Sequence, residues 1–375
     1  MKKFTFLMII AMSIFSVYGQ SNPTKIEVSF GEEIQGANIP TLCKVIGYDD
    51  SGLYMLAIKN RGLFNEFSIA IYDKELKRFN FNNNGSKKIG YVKRKDRLFF
   101  EKAIYFGGKL FVLLSSQVDT KTGKKSIYIQ EIDKKTLVPI GKLKKICEIV
   151  RSSKATHYNG FLVTKLSRDK TKLLIYYDLV FNLRTSRVHR FNLLVFDSNI
   201  NKLWEKEVGI PVPERGYYFL RNIRIDNNGR AYVLGLIYQR KAGCYKKSGK
   251  PKYEYVVLSC NGSNDNTWKY FLKETDKFLS EMRIEVDYKN NLYCTGFYFF
   301  DGVMFAKGTF YLLIDGGTGR IKAKTYSKFP LKYLSSMAKG YFKQEGKKIG
   351  LRSCYIHETV FSDDGSDPTP PFDHP

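Results

Sequence analysis

An all-β fold assembled from one repeated module is what this 375-residue sequence predicts, and three observations carry that expectation. An apolar run ending in Asp or Asn recurs five times, a turn-forming cluster precedes each run, and the composition favours strands. The runs are Ser68-Ile-Ala-Ile-Tyr-Asp73, Tyr128-Ile-Gln-Glu-Ile-Asp133, Leu193-Leu-Val-Phe-Asp197, Val257-Leu-Ser-Cys-Asn261 and Tyr311-Leu-Leu-Ile-Asp315. Their anchors lie 60, 64, 64 and 54 residues apart (73→133→197→261→315), and self-similarity at such a period marks a modular array. The 26 Tyr and 28 Phe suit strands, because aromatic side chains fit a pleated, half-buried surface.

Taken in order, the chain opens with an export signal over residues 1–19. Lys2 and Lys3 form a positive start, Phe4 to Phe15 is mostly apolar, and Val17-Tyr18-Gly19 offers a small residue at the cut before Gln20. No later apolar stretch approaches the roughly 20 residues of a membrane-spanning helix. The expected location is therefore periplasmic, outer-surface or secreted, with no transmembrane span after cleavage. Lys25 to Phe30 alternates cleanly and reads as an extra strand.

Five turn clusters then each lead into a strand: Asp50-Ser-Gly52, Gly107-Gly108, Ser167 to Lys172, Asp226-Asn-Asn-Gly229 and Asp287 to Asn291. Gly, Asn and Asp tolerate tight or left-handed backbone, so each cluster is a turn with a mechanism. After two of the anchors come Leu203-Trp204-Glu205 and Thr267-Trp268-Lys269, whose tryptophans are 64 residues apart and so equivalent. With one further strand per unit, such as Phe219 to Ile225 or Phe278 to Val286, each module holds about four strands. Four short antiparallel strands in about 60 residues match a propeller blade; a solenoid of stacked β-units is the competing architecture. Met337 to Phe342 and Gly350 to Phe361 offer another pair of strands. Ser362-Asp-Asp-Gly365 announces one more module, but Pro-rich residues 366–375 follow, and prolines cannot donate ladder hydrogen bonds. The expectation is a β-propeller over residues 20–365, with about five recognisable four-stranded blades plus an incomplete sixth, and a disordered tail.

The residues Leu194-Val-Phe-Asp197 with Leu203-Trp204-Glu205-Lys206, Asp226-Asn-Asn-Gly229 with Tyr232-Val-Leu-Gly235, and Gly296-Phe-Tyr298 carry a resemblance. Over residues 45–330 the chain resembles exported β-propeller proteins of Bacteroidetes-type bacteria, WD40- or TolB-like in their blades. The resemblance implies a further strand after Asp364-Gly365. The chain departs from it there, which puts ring closure, the completeness of the chain or the reading frame of its last ten residues in question. It carries over no catalytic residues.

The net charge of +26 favours anionic partners: an acidic polysaccharide, a lipid head group or an envelope protein. Nucleic acid is not expected, since no recognition module accompanies the charge. Among the lysine clusters, Lys246, Lys247, Lys250 and Lys252 are the candidate binding residues. The plainer reading of such lysines is solvated turns and protection of sheet edges. The six cysteines lack the density of a disulfide scaffold, although Cys244 and Cys260 could meet across one hairpin.

Zinc-protease, P-loop, nucleophile-elbow and paired Cys-x-x-Cys patterns are absent, and neither cofactor nor metal is expected; Asp226-Asn-Asn-Gly229 alone offers calcium too few ligands. Glycan-cleaving propellers use converging carboxylates, for which Asp178, Glu285 and Asp287 are the candidates. The repetition of Asp73, Asp133, Asp197 and Asp315, and of Asp226 with Asp287, points instead to a structural role for those groups. Ser263 to Trp268 is similar to a sialidase Asp-box but lacks its Gly. The leading expectation is thus a non-enzymatic binding or scaffold module at the cell envelope. The alternative is a carbohydrate-active enzyme, hydrolase or lyase, on the same scaffold.

Overall fold

The computed structural model describes residues 42–61, 64–73, 87–88, 92–93, 96–150, 157–158, 162–179, 181–182, 186–214, 216–239, 252–263, 267–272, 277–300 and 306–330. It is all-β, with five antiparallel sheets of four or five strands and no helix among the described residues. The chain divides into two compact units, residues 1–86 and 87–375.

In the first unit β1 (Leu42–Asp49), β2 (Gly52–Arg61) and β3 (Phe64–Tyr72) form an antiparallel meander. Its first turn is closed by Asp49, whose Oδ1 accepts the Ser51 N–H at 2.8 Å and the Tyr54 hydroxyl at 3.0 Å. Tyr54 and Leu56 of β2 with Ile71 and Ile69 opposite them on β3 supply one buried face.

The second unit begins with β4 (Lys87–Lys88) and, among the described residues, contains four sheets of four or five strands and one two-stranded pair. The next sheet runs in the order β5 (Val92–Lys93), β6 (Asp96–Phe106), β7 (Lys109–Ser116), β8 (Lys124–Ile132) and β9 (Pro139–Val150). There follow β10 (His157–Tyr158), β11 (Leu162–Leu166), β12 (Leu173–Asp178), β13 (Phe181–Asn182), β14 (Val188–Phe196) and β15 (Lys202–Pro211). Of these, β11, β12, β14 and β15 make the third sheet, while β10 and β13 pair with each other. The fourth sheet is β16 (Tyr217–Ile225), β17 (Ala231–Tyr238), β18 (Tyr253–Cys260) and β19 (Trp268–Leu272). The fifth is β20 (Lys277–Val286), β21 (Asn291–Phe300), β22 (Gly308–Asp315) and β23 (Ile321–Lys328).

The expected module is therefore present. Each anchor stands at the end of the third main strand of its sheet: Asp73 after β3, Asp133 after β8, Asp197 after β14, Asn261 after β18 and Asp315 closing β22. Each predicted turn cluster joins the first two main strands. The extra strand at Lys25 to Phe30, the pair after Met337 and the tail lie outside the described residues.

Within the second unit, successive sheets bury side chains on both faces, as the two-residue period requires. On β12, Leu173, Ile175 and Tyr177 pack with Ile104, Phe106 and Leu113 of the second sheet. Leu174 and Tyr176 point the other way, into a cluster with Ile223, Ile225 and Val233 of the fourth sheet. Strand β17 repeats the division: Ala231, Val233 and Ile237 face the third sheet, while Tyr232, Leu234 and Leu236 face Ile284, Leu292 and Leu312 of the fifth. The first strand of the fourth sheet, β16, adjoins both β11 and β20.

Turns lock neighbouring sheets together at one end. The Gly107 N–H donates to Lys170 O at 3.0 Å, and at φ 56° a Cβ on Gly107 would stand 2.4 Å from Ser198 Cβ, so only glycine fits. Asn227 Oδ1 accepts the Asp169 N–H at 3.1 Å, and Asn290 Oδ1 accepts the Asn227 N–H at 3.3 Å. The two equivalent tryptophans act alike: Trp204 Nε1 donates to Gly229 O at 3.0 Å and Trp268 Nε1 to Gly316 O at 3.1 Å, each on the following sheet. Trp204→Phe and Trp268→Phe each keep an aromatic ring but orphan a buried carbonyl, so each should cost about 1–2 kcal/mol in urea denaturation. An unchanged midpoint would show that the rings alone hold the sheets.

The outer strands β15, β19 and β23 carry exposed residues at alternate positions, including Lys202, Lys269, Lys322 and Lys324. Charged edges of this kind discourage sheet-to-sheet pairing. No helix among the described residues is long and apolar enough to cross a membrane, which says nothing about crossing by strands.

Candidate functional site

The residues with most chemical potential lie on the first strands of the fourth and fifth sheets, where backbone irregularities re-aim charged side chains. The β16–β17 register shifts between Leu220 and Asn222, leaving Arg221 as the extra residue. The β20–β21 register shifts between Ser280 and Arg283, leaving Glu281 and Met282, with Glu281 at φ 46°. The second sheet has the same feature in β6, between Phe100 and Lys102 at Glu101. Bulges recur next to active sites because they turn a side chain out of the pleat.

Here they bring opposite charges together. Arg221 Nη2 lies 3.5 Å from Glu281 Oε1, with both side chains about 30 % exposed. Arg283 Nη1 donates to the backbone oxygen of Arg221 at 3.5 Å, which sets a second guanidinium at the same bulge. The Tyr255 hydroxyl accepts the Met282 N–H at 3.4 Å and stands against Arg221; burial raises its pKa. One turn-ward step along the strands, Arg224 Nε donates to Glu285 Oε1 at 2.6 Å, and Nη2 engages the same oxygen. The cluster thus offers three guanidinium groups and two carboxylates at a partly exposed surface, with a buried phenol beneath them.

The three carboxylates singled out from the sequence do not converge, which corrects that expectation. Glu285 is held by Arg224. Asp287 closes the β20–β21 turn, accepting the Asn291 N–H at 2.7 Å, the Asn291 amide at 2.8 Å and the Tyr293 hydroxyl at 3.1 Å. Asp178 ends β12, at the far end of its sheet from the turns. Its Oδ1 accepts the Tyr176 hydroxyl and lies 3.0 Å from His189 Nε2. The His189 ring rests 4.9 Å from that of Tyr218 and is only 4 % exposed, so this group belongs to the packing between the third and fourth sheets.

The repeated aspartates have the structural role expected of them. Asp133 Oδ1 accepts the N–H groups of Lys135 and Thr136 at 3.0 and 2.6 Å, and Asp197 Oδ1 accepts those of Asn199 and Asn201 at 2.9 and 2.8 Å. Asp315 takes Lys322 at 2.9 Å and the Thr318 N–H at 2.9 Å, and those partners hold its carboxyl below the usual range. Asp226 differs: burial pushes its carboxyl up, although the Arg230 N–H and the Tyr232 hydroxyl donate to it at 2.8 and 3.0 Å.

Of the candidate binding lysines, Lys246, Lys247 and Lys250 lie outside the described residues. Lys252 is half-buried, and its backbone oxygen accepts the Gln239 N–H at 2.8 Å. Cys260 is a free, buried thiol, which corrects the disulfide considered with Cys244; Cys147 and Cys294 are free as well. Sequence reasoning missed Arg221, Glu281 and Arg283. The available signal was the run Glu281-Met-Arg-Ile-Glu285, which places charges at every second residue of the strand read over Phe278 to Val286.

No protein-family model matches the chain, and no curated protein matches it. Among solved structures it is similar to the polysaccharide lyase Uly1, at 9 % identity and TM-score 0.39, over 73 % of this chain and 58 % of the lyase. The chain thus spans less than two thirds of that enzyme's length. It is also similar to a thermostable family-43 glycoside hydrolase, at 14 % identity and TM-score 0.32, over 78 % of this chain and 97 % of the hydrolase. A third is the hydrazine synthase of Kuenenia stuttgartiensis, at 14 % identity and TM-score 0.32, over 75 % and 80 % of the two chains. With neighbours that are enzymes, two of them a polysaccharide lyase and a glycoside hydrolase, the expectation of a non-enzymatic binding module does not stand and is withdrawn. The chemistry assigned below rests on the chain's own residues.

Proposed function

We propose that this protein is an exported carbohydrate-active enzyme that cleaves an acidic polysaccharide by elimination. The observation that carries the reading is the Arg221–Glu281 cluster with Arg283 beside it, built by bulges on adjoining strands. The two guanidinium groups hold the carboxylate of a uronate unit, since arginine matches carboxylate geometry with paired donors. Neutralising that carboxylate makes the proton on the adjacent ring carbon easier to remove. Glu281 accepts this proton, the bond to the leaving oxygen breaks as the ring double bond forms, and the carboxyl returns the proton to that oxygen.

Hydrolysis by paired carboxylates fits the site less well. Hydrolysis needs two carboxyl groups free to flank one bond, whereas Glu281 and Glu285 are each held by a different arginine, Arg221 and Arg224. The chain's charge of +26 suits an anionic substrate. We read the sheets as propeller blades. The face-to-face packing of successive sheets and the meeting of β11, β16 and β20 support that reading.

The test is incubation of the purified protein with polygalacturonate, alginate and hyaluronan at low and raised salt. Ultraviolet absorbance of unsaturated uronate and new reducing ends are both followed. Unsaturated ends formed at low salt and suppressed by salt are the expected result. Reducing ends without unsaturation would move the reaction to hydrolysis, and retention without any product would sink the enzyme.

A further inference from the structure

A second site stands on the turn end of the same sheets. Four residues beyond Arg221, β16 runs into the Asp226–Arg230 turn. That turn, the segment at Asn261–Ser263 and Asn290 of the next sheet surround a cavity of about 390 Å³. Its volume lies within the roughly 300–1,000 Å³ of small-molecule sites. Trp204, Asn228, Arg230, Asn261, Ser263 and Asn290 contribute to its wall, and the rest is largely glycine backbone.

Asn261 is the odd member of the repeat. At the equivalent position Asp133, Asp197 and Asp315 turn their carboxylates back on the N–H groups of their own turns. Asn261 Oδ1 is buried and meets no hydrogen-bond donor among the described residues. That oxygen is closed to solvent, so Asn261 serves the cavity as part of its wall and not through Oδ1. Asp226, also in the wall, has both oxygens engaged by the Arg230 N–H and the Tyr232 hydroxyl, so it shapes the cavity.

We propose that this cavity is a saccharide-binding site that holds a hydroxylated sugar ring of a glycan chain, apart from the cluster assigned to cleavage. Amides present a donor and an acceptor in one plane, which pairs with neighbouring sugar hydroxyls that can each give and take a hydrogen bond. The Asn228 amide engages such hydroxyls, Asn261 and Asn290 border them, and the Trp204 indole lies beside the ring. The site is independent of how, or whether, the glycan is cut.

The two tryptophans of the chain make the test direct, because Trp204 lines the cavity and Trp268 does not. In a Trp268→Phe protein the emission of Trp204 is titrated with xylo-, gluco- and galacto-oligosaccharides and with oligogalacturonates. At least one series should give a saturable change, with Kd raised tenfold or more by Asn228→Ala and by Asn261→Asp, and unaffected by Glu281→Gln. No change with any series, or a change that both asparagine variants leave intact, overturns the proposal. If Trp268→Phe does not fold, the indole N–H resonances of the native chain are titrated instead, and a shift of Trp204 that depends on Asn228 is required. Saturable binding in a protein that cuts nothing defeats the cleavage reading alone, and cutting without binding here defeats this one alone.

Discussion

Replacing Gly235 with valine should cost about 3 kcal/mol and lower the thermal midpoint by roughly 6–12 °C. Gly235 lies in the middle of β17, paired with Leu220 on one side and Val256 on the other. A Cβ placed there would stand 1.9 Å from Cε2 of Tyr218 and 2.5 Å from its hydroxyl. The ring has nowhere to go: it is buried, 4.9 Å from His189 and stacked 5.9 Å from Phe191. Protein interiors are packed too densely to absorb such an overlap. The same contact predicts coupling. Tyr218→Ala opens a cavity and should cost about 3–5 kcal/mol alone, yet in the double variant part of the valine fills it. The double variant should fall short of the summed single costs by about 1.5 kcal/mol or more in urea denaturation. Additive losses would show that strain at Gly235 is relieved elsewhere.

Glu281→Gln should reduce turnover of the acidic polysaccharide at least about 100-fold. The amide keeps the shape of the side chain and can still face Arg221, so KM should change little and the thermal midpoint should stay put. Arg221→Gln should act the other way, raising KM most, because the guanidinium is assigned to substrate holding. Initial rates over a substrate series separate the two effects. Wild-type turnover in Glu281→Gln would remove Glu281 as the base. Loss of activity together with a lowered midpoint would reassign the pair to structure.

The sheets were legible because their signals are local. Asp133 and Asp315 stand beside the turns they close, and Asp287 sits three positions before a positive-φ Asn290, so residue type alone marks these places. The equivalence of Trp204 and Trp268 was visible in their spacing, and both proved to bridge to the next sheet. The convergence of Asp178, Glu285 and Asp287 failed because it required knowing which strand ends face each other in space, and nearness in a repeat does not supply that.

The cluster at Arg221 shows the limit most clearly. A bulge is a one-residue slip between two paired strands, so it is a property of the pairing and leaves no mark in either strand alone. Arg221 and Glu281 are 60 residues apart in sequence and meet only because β16 and β20 adjoin. What the sequence determined by itself was the module: alternation sets strands with two buried faces, and small polar residues set the turns between them. Tertiary structure decided which charges meet and which anchor lacks a donor among the described residues. Those contacts depend on the register and stacking of strands far apart in the chain, whereas alternation and turn chemistry act between neighbours.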